Sequence, residues 1–228
     1  MPPRLLPLAL ALGMTPGCIA VTVPPQSPMG PYVPLADPGE VTATISGEAV
    51  LWPGATGNLQ LPADFGVIEL GGQIAATSYA ATPALWVRGN EGNPAVRRAY
   101  RIGFAAGAGD FLGIYPFEMA FLGGSFHFQT TRPKPKHLAT STLGLSFTAP
   151  LDWGEELETP DNLLVVMLPS VWLNGRWSWA WPVAQGDHLV LSAGFDVEIG
   201  LVGISLLVTP IIPAPSLGLA YQFGAPDK

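Results

Sequence analysis

Six charged residues fall inside stretches that otherwise alternate between apolar and small or polar side chains: Glu48, Glu69, Arg101, Glu118, Asp196 and Glu198. A carboxylate pair among them is the arrangement in this chain best suited to acid–base work on a glycoside or an ester. Nothing around them completes such a site. The sequence has no G-x-S-x-G elbow, no H-E-x-x-H and no Gly-rich phosphate loop followed by a basic residue. His127, His137 and His188 stand on different segments, without metal-ligand spacing and without a nucleophile beside them. We therefore read the six charges as a structural or pore-lining network, and expect a protein that is not an enzyme and uses no metal and no cofactor.

Two loop-like segments differ in sign. Arg132, Lys134 and Lys136 lie in the basic, Pro-rich TRPKPKH, and Glu155, Glu156, Glu158 and Asp161 in the acidic DWGEELETPD. The basic group suits contact with lipid phosphates, and the acidic group a weak calcium site; as plain solvated loops they need neither role. The stretch between them, Leu138 to Pro150, has the length of one strand, so the loops should emerge at opposite ends of whatever it crosses. We expect the basic loop to be the external one. The alternating Trp177, Trp179 and Trp181, together with Tyr221 and Phe223, read as an aromatic girdle at a water–lipid boundary, although Trp rows also line ligand faces.

The amino terminus reads as a targeting segment. Met1 to Arg4 supplies a positive start, Leu5 to Met14 an apolar core of signal-peptide length, and Gly17 precedes Cys18. Cys18 is the only cysteine, so the chain can build neither a disulfide nor a thiolate metal site by itself. It is a candidate for lipidation, with ordinary signal-peptidase cleavage as the alternative.

These residues need elements to hold them, and composition limits the choice. Charged residues make up 12% of the 228, against roughly a quarter in ordinary soluble domains. Mean hydropathy is +0.34. The 27 glycines and 25 prolines point to many turns and few helices. A net charge of −7 argues against nucleic acid as a partner. Period-two alternation is the strand signal. Leu217, Leu219, Tyr221 and Phe223 oppose Ser216, Gly218, Ala220 and Gln222, and Leu189, Leu191, Ala193, Phe195 and Val197 oppose Ser192, Gly194, Asp196 and Glu198. The same alternation runs from Glu40 through Leu51, Arg97 through Gly107, Ser125 through Gln129 and Thr140 through Thr148. Strands are also expected over Gly57 to Leu61 and Phe65 to Tyr79, with Gly109-Asp110 as a tight turn. Pro169 should interrupt the apolar run Asn162 to Leu173 as a bulge or an edge.

The expected fold is all-β, an antiparallel up-and-down β-barrel of about ten strands (roughly 8–12). Residues 1–18 form the leader, 19–39 a Pro-rich tether, 40–223 the barrel and 224–228 a tail. An apolar row opposite a polar row places the six charges of the opening paragraph in the barrel interior.

The leader with its cysteine, the tether, the opening GEVTATISGEAV, the glycine-rich RIGFAAGAGDFLGI and the closing PSLGLAYQF together resemble the small outer-membrane β-barrel proteins of Gram-negative bacteria. That resemblance implies a location in the cell outer membrane, with membrane lipids and the outer-membrane assembly machinery as partners, and it supplies no catalytic residues. In that group the chain often ends on the final aromatic, whereas here GAPDK follows Phe223. Two functions are compatible with the pattern. One is a structural barrel or narrow pore that passes a small solute, with the tether on the periplasmic side. The other is a periplasmic or surface lipoprotein whose lipocalin-like barrel binds an apolar ligand. They differ in which row faces inward.

Overall fold

The computed structural model describes residues 18–22, 35, 40–50, 54–75, 78–89, 96–110, 118–151, 154–156, 164–184, 186–199 and 213–224. The leader up to 17, most of the tether and the last four residues lie outside them. Fourteen strands follow in chain order: β1 (Cys18–Thr22), β2 (Thr42–Val50), β3 (Gly54–Ala63), β4 (Gly66–Ala75), β5 (Ser78–Ala81), β6 (Ala84–Arg88), β7 (Arg97–Asp110), β8 (Glu118–Pro133), β9 (Leu138–Pro150), β10 (Gly154–Glu156), β11 (Leu164–Leu168), β12 (Ser170–Ala184), β13 (Asp187–Glu198) and β14 (Pro213–Phe223). There is no helix among the described residues.

Eleven of these strands close into one antiparallel ring. Its order is β3-β2-β14-β13-β12-β9-β8-β7, then β5 and β6 side by side in sequence, then β4, which pairs back onto β3. β5 and β6 are two halves of a single wall strand. Both pair with β4 and β7, and Gly72 opposite Ala81 and Glu69 opposite Ala84 belong to one uninterrupted register. Pro83 makes the break, because it has no N–H to give to the ladder. Its carbonyl still accepts from the Phe104 amide at 2.9 Å, and the Thr82 amide donates to the Gly71 carbonyl at 2.8 Å. Counting β5–β6 once, the barrel has ten walls, joined up and down.

β10 and β11 leave the ring. β11 pairs antiparallel with β10 and parallel with β1, so a small three-stranded sheet forms in the connection between β9 and β12. The start of the expected tether is thus a short strand outside the barrel. Pro169 acts as a boundary and not as a bulge: the apolar run splits there into β11 and β12. Gly109-Asp110 is not a turn. It stays in β7, opposite Met119 and Glu118, because a strand with partners on both sides holds residues that would otherwise favour a bend. Phe65 to Tyr79 likewise divides, with β4 ending at Ala75 and β5 starting at Ser78. At the β12–β13 hairpin Gly186 takes φ 77°, a left-handed conformation that glycine adopts without steric cost.

The alternation resolves into outside and inside. Ile45 is 63% exposed and Leu219 56%, while their neighbours Thr44 and Ala220 are 2% and 3%. Apolar rows face outward all round the ring, and threonines, serines, glutamines and charges face inward. Inward glycines make room for the largest of these. A side chain at Gly144 would collide with the His127 ring, one at Gly194 with the Arg176 stem, and one at Gly103 with the Arg101 guanidinium. Gly144→Val should therefore lower barrel stability by about 1–3 kcal/mol, the usual cost of overpacking. Gly57→Val, on the open outer face where nothing lies within 4 Å, should not. Urea-unfolding midpoints compare the two, and equal midpoints would contradict this packing.

Candidate functional site: the sealed polar interior

Strand register sets the site. Trp86 lies opposite Arg101, Arg101 opposite His127, His127 opposite Gly144, Gly144 opposite Asn174, and Asn174 opposite Asp196. One transverse row of inward positions thus crosses six strands. Two ion pairs anchor its ends. On one side Arg101 Nη2 meets Glu69 Oε1 at 2.7 Å, with the two side chains 1% and 0% exposed. The other oxygen of Glu69 accepts from Trp86 Nε1 at 2.9 Å and from Gln60 Nε2 at 3.4 Å, and Arg101 Nη1 donates to Ser125 Oγ at 3.0 Å. On the other side Arg176 Nη2 meets Asp196 Oδ2 at 2.6 Å, and Asn174 Nδ2 donates to Asp196 Oδ1 at 2.7 Å. Arg176 Nη1 also donates to the backbone carbonyls of Gly175 and Phe195.

An isolated charge in such a place would cost several kcal/mol. Here each carboxylate has both oxygens engaged and each arginine spans two strands or more. The same bonds hold both acids among protein partners, with both oxygens of each accepting from neighbouring side chains. Further polar contacts continue toward the ends, with Thr42 donating to Gln60, Ser46 hydrogen-bonded to Thr56, and Thr131 to Thr140 at 3.2 Å.

Three of the six expected interior charges, Glu69, Arg101 and Asp196, are brought into this belt. Glu48, Glu118 and Glu198 lie on β2, β8 and β13, with side chains outside the described residues, as are those of Cys18 on β1 and of Glu155 and Glu156 on β10. Glu158 and Asp161 also lie outside them. Three members of the belt, Trp86, Asn174 and Arg176, were not singled out in the sequence, whereas His127 already stood opposite Phe126 and Phe128 in the alternation. Their roles depend on pairing between distant strands, although each stands at an alternate position. Among the described residues no group of three or more His, Cys, Asp or Glu is arranged to hold a metal.

At the barrel mouth where β2 begins, Leu35 packs on Val67, Trp86 and Ala99. The cleft there, between Leu35, Arg88, Arg97 and Thr131, measures about 10 Å³, room for about one water. Of the expected girdle, Trp181, Tyr221 and Phe223 stand near this end of the wall, and Trp177 halfway along β12. Tyr221 Oη donates to Asp187 at 2.8 Å, and the Gly224 amide to the same carboxylate at 3.0 Å, so the end of β14 is tied to the β12–β13 hairpin.

No family model and no curated protein matches the chain.

Removing one partner of the Glu69–Arg101 pair leaves the other charged and buried. Glu69→Ala should therefore cost about 3–5 kcal/mol, and the double variant Glu69→Gln/Arg101→Met clearly less. Urea denaturation followed by loss of β circular dichroism reads the difference; a double variant as unstable as the single one would contradict a pairwise role.

Proposed function

We propose that the protein is a non-enzymatic β-barrel of the bacterial outer membrane, serving as a structural element with a filled interior and not as an open pore. The observation that carries this reading is the arrangement of the wall: residues such as Ile45, Phe104, Leu145, Leu217 and Leu219 are exposed in a continuous outward band, while the interior is polar and closed. Water is a poor solvent for such a band, and hydrocarbon a good one. A carrier of apolar ligands needs the opposite arrangement, with apolar side chains around a cavity; here the inward positions hold Gln60, Gln129, Asn174 and the two ion pairs.

Strand length agrees. β7, β8, β9 and β12 have 14, 16, 13 and 15 residues, beyond the roughly 9–11 that a tilted strand needs to cross the hydrocarbon layer. The connections are unequal, as they are in outer-membrane barrels, where periplasmic turns are short and outer loops long. The β3–β4, β8–β9 and β12–β13 turns are short and lie at the end where β2 begins. That end also carries the longer β6–β7 connection, and the other end the short β2–β3 and β4–β5 links, but the two longest connections, β9–β12 and β13–β14, are both at the other end. We take the end where β2 begins as periplasmic; the basic turn with Lys134 and Lys136 then lies on that side and the acidic segment on the outer side. This proposed sidedness is the reverse of the one expected from the charge of the turn, and it follows from that turn and the entry to β2 sharing one end of the barrel.

Arginine on the outer wall tests the membrane reading. Leu145→Arg, halfway along β9, should cost about 2–4 kcal/mol in a bilayer, and Phe65→Arg, at the β3–β4 turn, about 0–1. Folding yield into phospholipid vesicles compares them, and equal tolerance would sink the reading. Orientation is tested separately, with single cysteines in a Cys18→Ala background. Cysteine at Leu151 should react with an impermeant maleimide on intact cells, and cysteine at Lys134 only after lysis; the reverse pattern would invert the barrel.

A further inference from the structure

The outward wall is not uniformly bulky. Along β9 the outward residues are Ala139, Ser141, Leu143, Leu145 and Phe147, small near the basic turn and large beyond it. Register sets a tryptophan of β12 beside each of the small ones. Ala139 lies between Arg132 of β8 and Trp179 of β12, and Ser141 between Thr130 and Trp177. A groove of about 210 Å³ results, lined by Thr130, Arg132, Ala139, Ser141, Trp177 and Trp179, with Thr140 and Ser178 beneath. Adjacent strands are ~4.8 Å apart, so its two walls stand ~10 Å apart, the width of one acyl chain with its contacts. Trp177 leans away, against Phe195 at 5.7 Å, and leaves the floor open. At the rim, Trp181 packs on His137 at 5.9 Å, and toward mid-wall Phe128 and Leu143, with the Phe195 ring over Gly175, bound the groove.

Charge identifies the occupant. Arg132, Lys134 and Lys136 are exposed at the rim, and neither 130–142 nor 177–181 contains an acidic residue. A planar guanidinium above an apolar channel, at the level where a wall strand meets its turn, matches a phosphate joined to an acyl chain. We infer that this groove is a binding site for one anionic phospholipid, its phosphate on Arg132 and one chain on the floor of Ala139 and Ser141 between Thr130 and Trp177. The inference rests on the outer-membrane reading and adds a defined lipid to it.

The test uses the full-length protein, folded in detergent micelles and titrated with phosphatidylglycerol or phosphatidylcholine, with retained lipid counted by native mass spectrometry. One phosphatidylglycerol should be retained, with a preference of about five-fold or more over phosphatidylcholine. Arg132→Gln should abolish the preference, and Ala139→Trp, which fills the groove, should abolish retention of both lipids. If Ala139→Trp does not fold, Arg132→Gln alone decides, since its side chain is exposed and bears on no core contact. Equal retention of the two lipids, indifference to Arg132→Gln, or displacement by millimolar inorganic phosphate, which would mark a simple phosphate site, each overturns the proposal. Insertion into vesicles made only of phosphatidylcholine keeps the two readings apart: a protein that inserts there yet shows no lipid preference loses this site and keeps its membrane assignment.

Discussion

Closure of the ring is the constraint on which the rest of this structure depends. Once β14 pairs with β2 and β4 with β3, the wall strands find partners on both sides and no edge remains. The period of two then becomes a division of space. One row of each strand must share a narrow interior with nine others, and the opposite row must meet whatever surrounds the protein. Charges on the inner row have little water to turn to, so they persist only where register brings an opposite charge and enough donors within reach. The two arginine–carboxylate pairs meet that condition, and the inward glycines provide the volume they occupy.

Much of this was legible in the sequence, for a physical reason. Where a wall strand has large apolar residues outside and small polar ones inside, alternation survives in the one-dimensional text, and β2, β7, β9, β13 and β14 could be read from it. The reading lost its hold where residues are small on both faces. Ala80 to Ala84 is AATPA, with no contrast between its two sides, and the two halves of that wall strand went unrecognised. Gly109-Asp110 misled because local turn preference is weak beside ladder pairing on a long strand. The composition of the interior could be anticipated from alternate positions, but not its pairing. Glu69 and Arg101 are 32 residues apart, and only the register of intervening strands decides that they meet. The groove on β9 was illegible for the same reason: Trp177 and Trp179 of β12 stand beside Ser141 and Ala139 only through strand register.

The interior also bears on transport. A ring of ten strands is wide enough to hold either side chains or a passage, and here arginine, glutamine, histidine and tryptophan side chains occupy it. Trp86, Arg101, His127, Gln60 and Gln129 are among the largest fully buried side chains of the described residues. Moving a solute through would require breaking pairs that are worth most when dry. The features open to variation without that penalty lie outside: the long connections at one end, and the wall groove beside the basic turn.

Pro83 gives the wall an unequal resistance to force. It removes a donor from the middle of the strand between β4 and β7, which weakens the ladder there against pulling and against exchange of its amides with solvent. The Glu69–Arg101 bond runs across that same strand, from β4 to β7, and Trp86 joins it from the strand between. The buried ion pair is therefore a rivet over that break, and loosening it should speed the entry of deuterium into the Ser78–Arg88 segment.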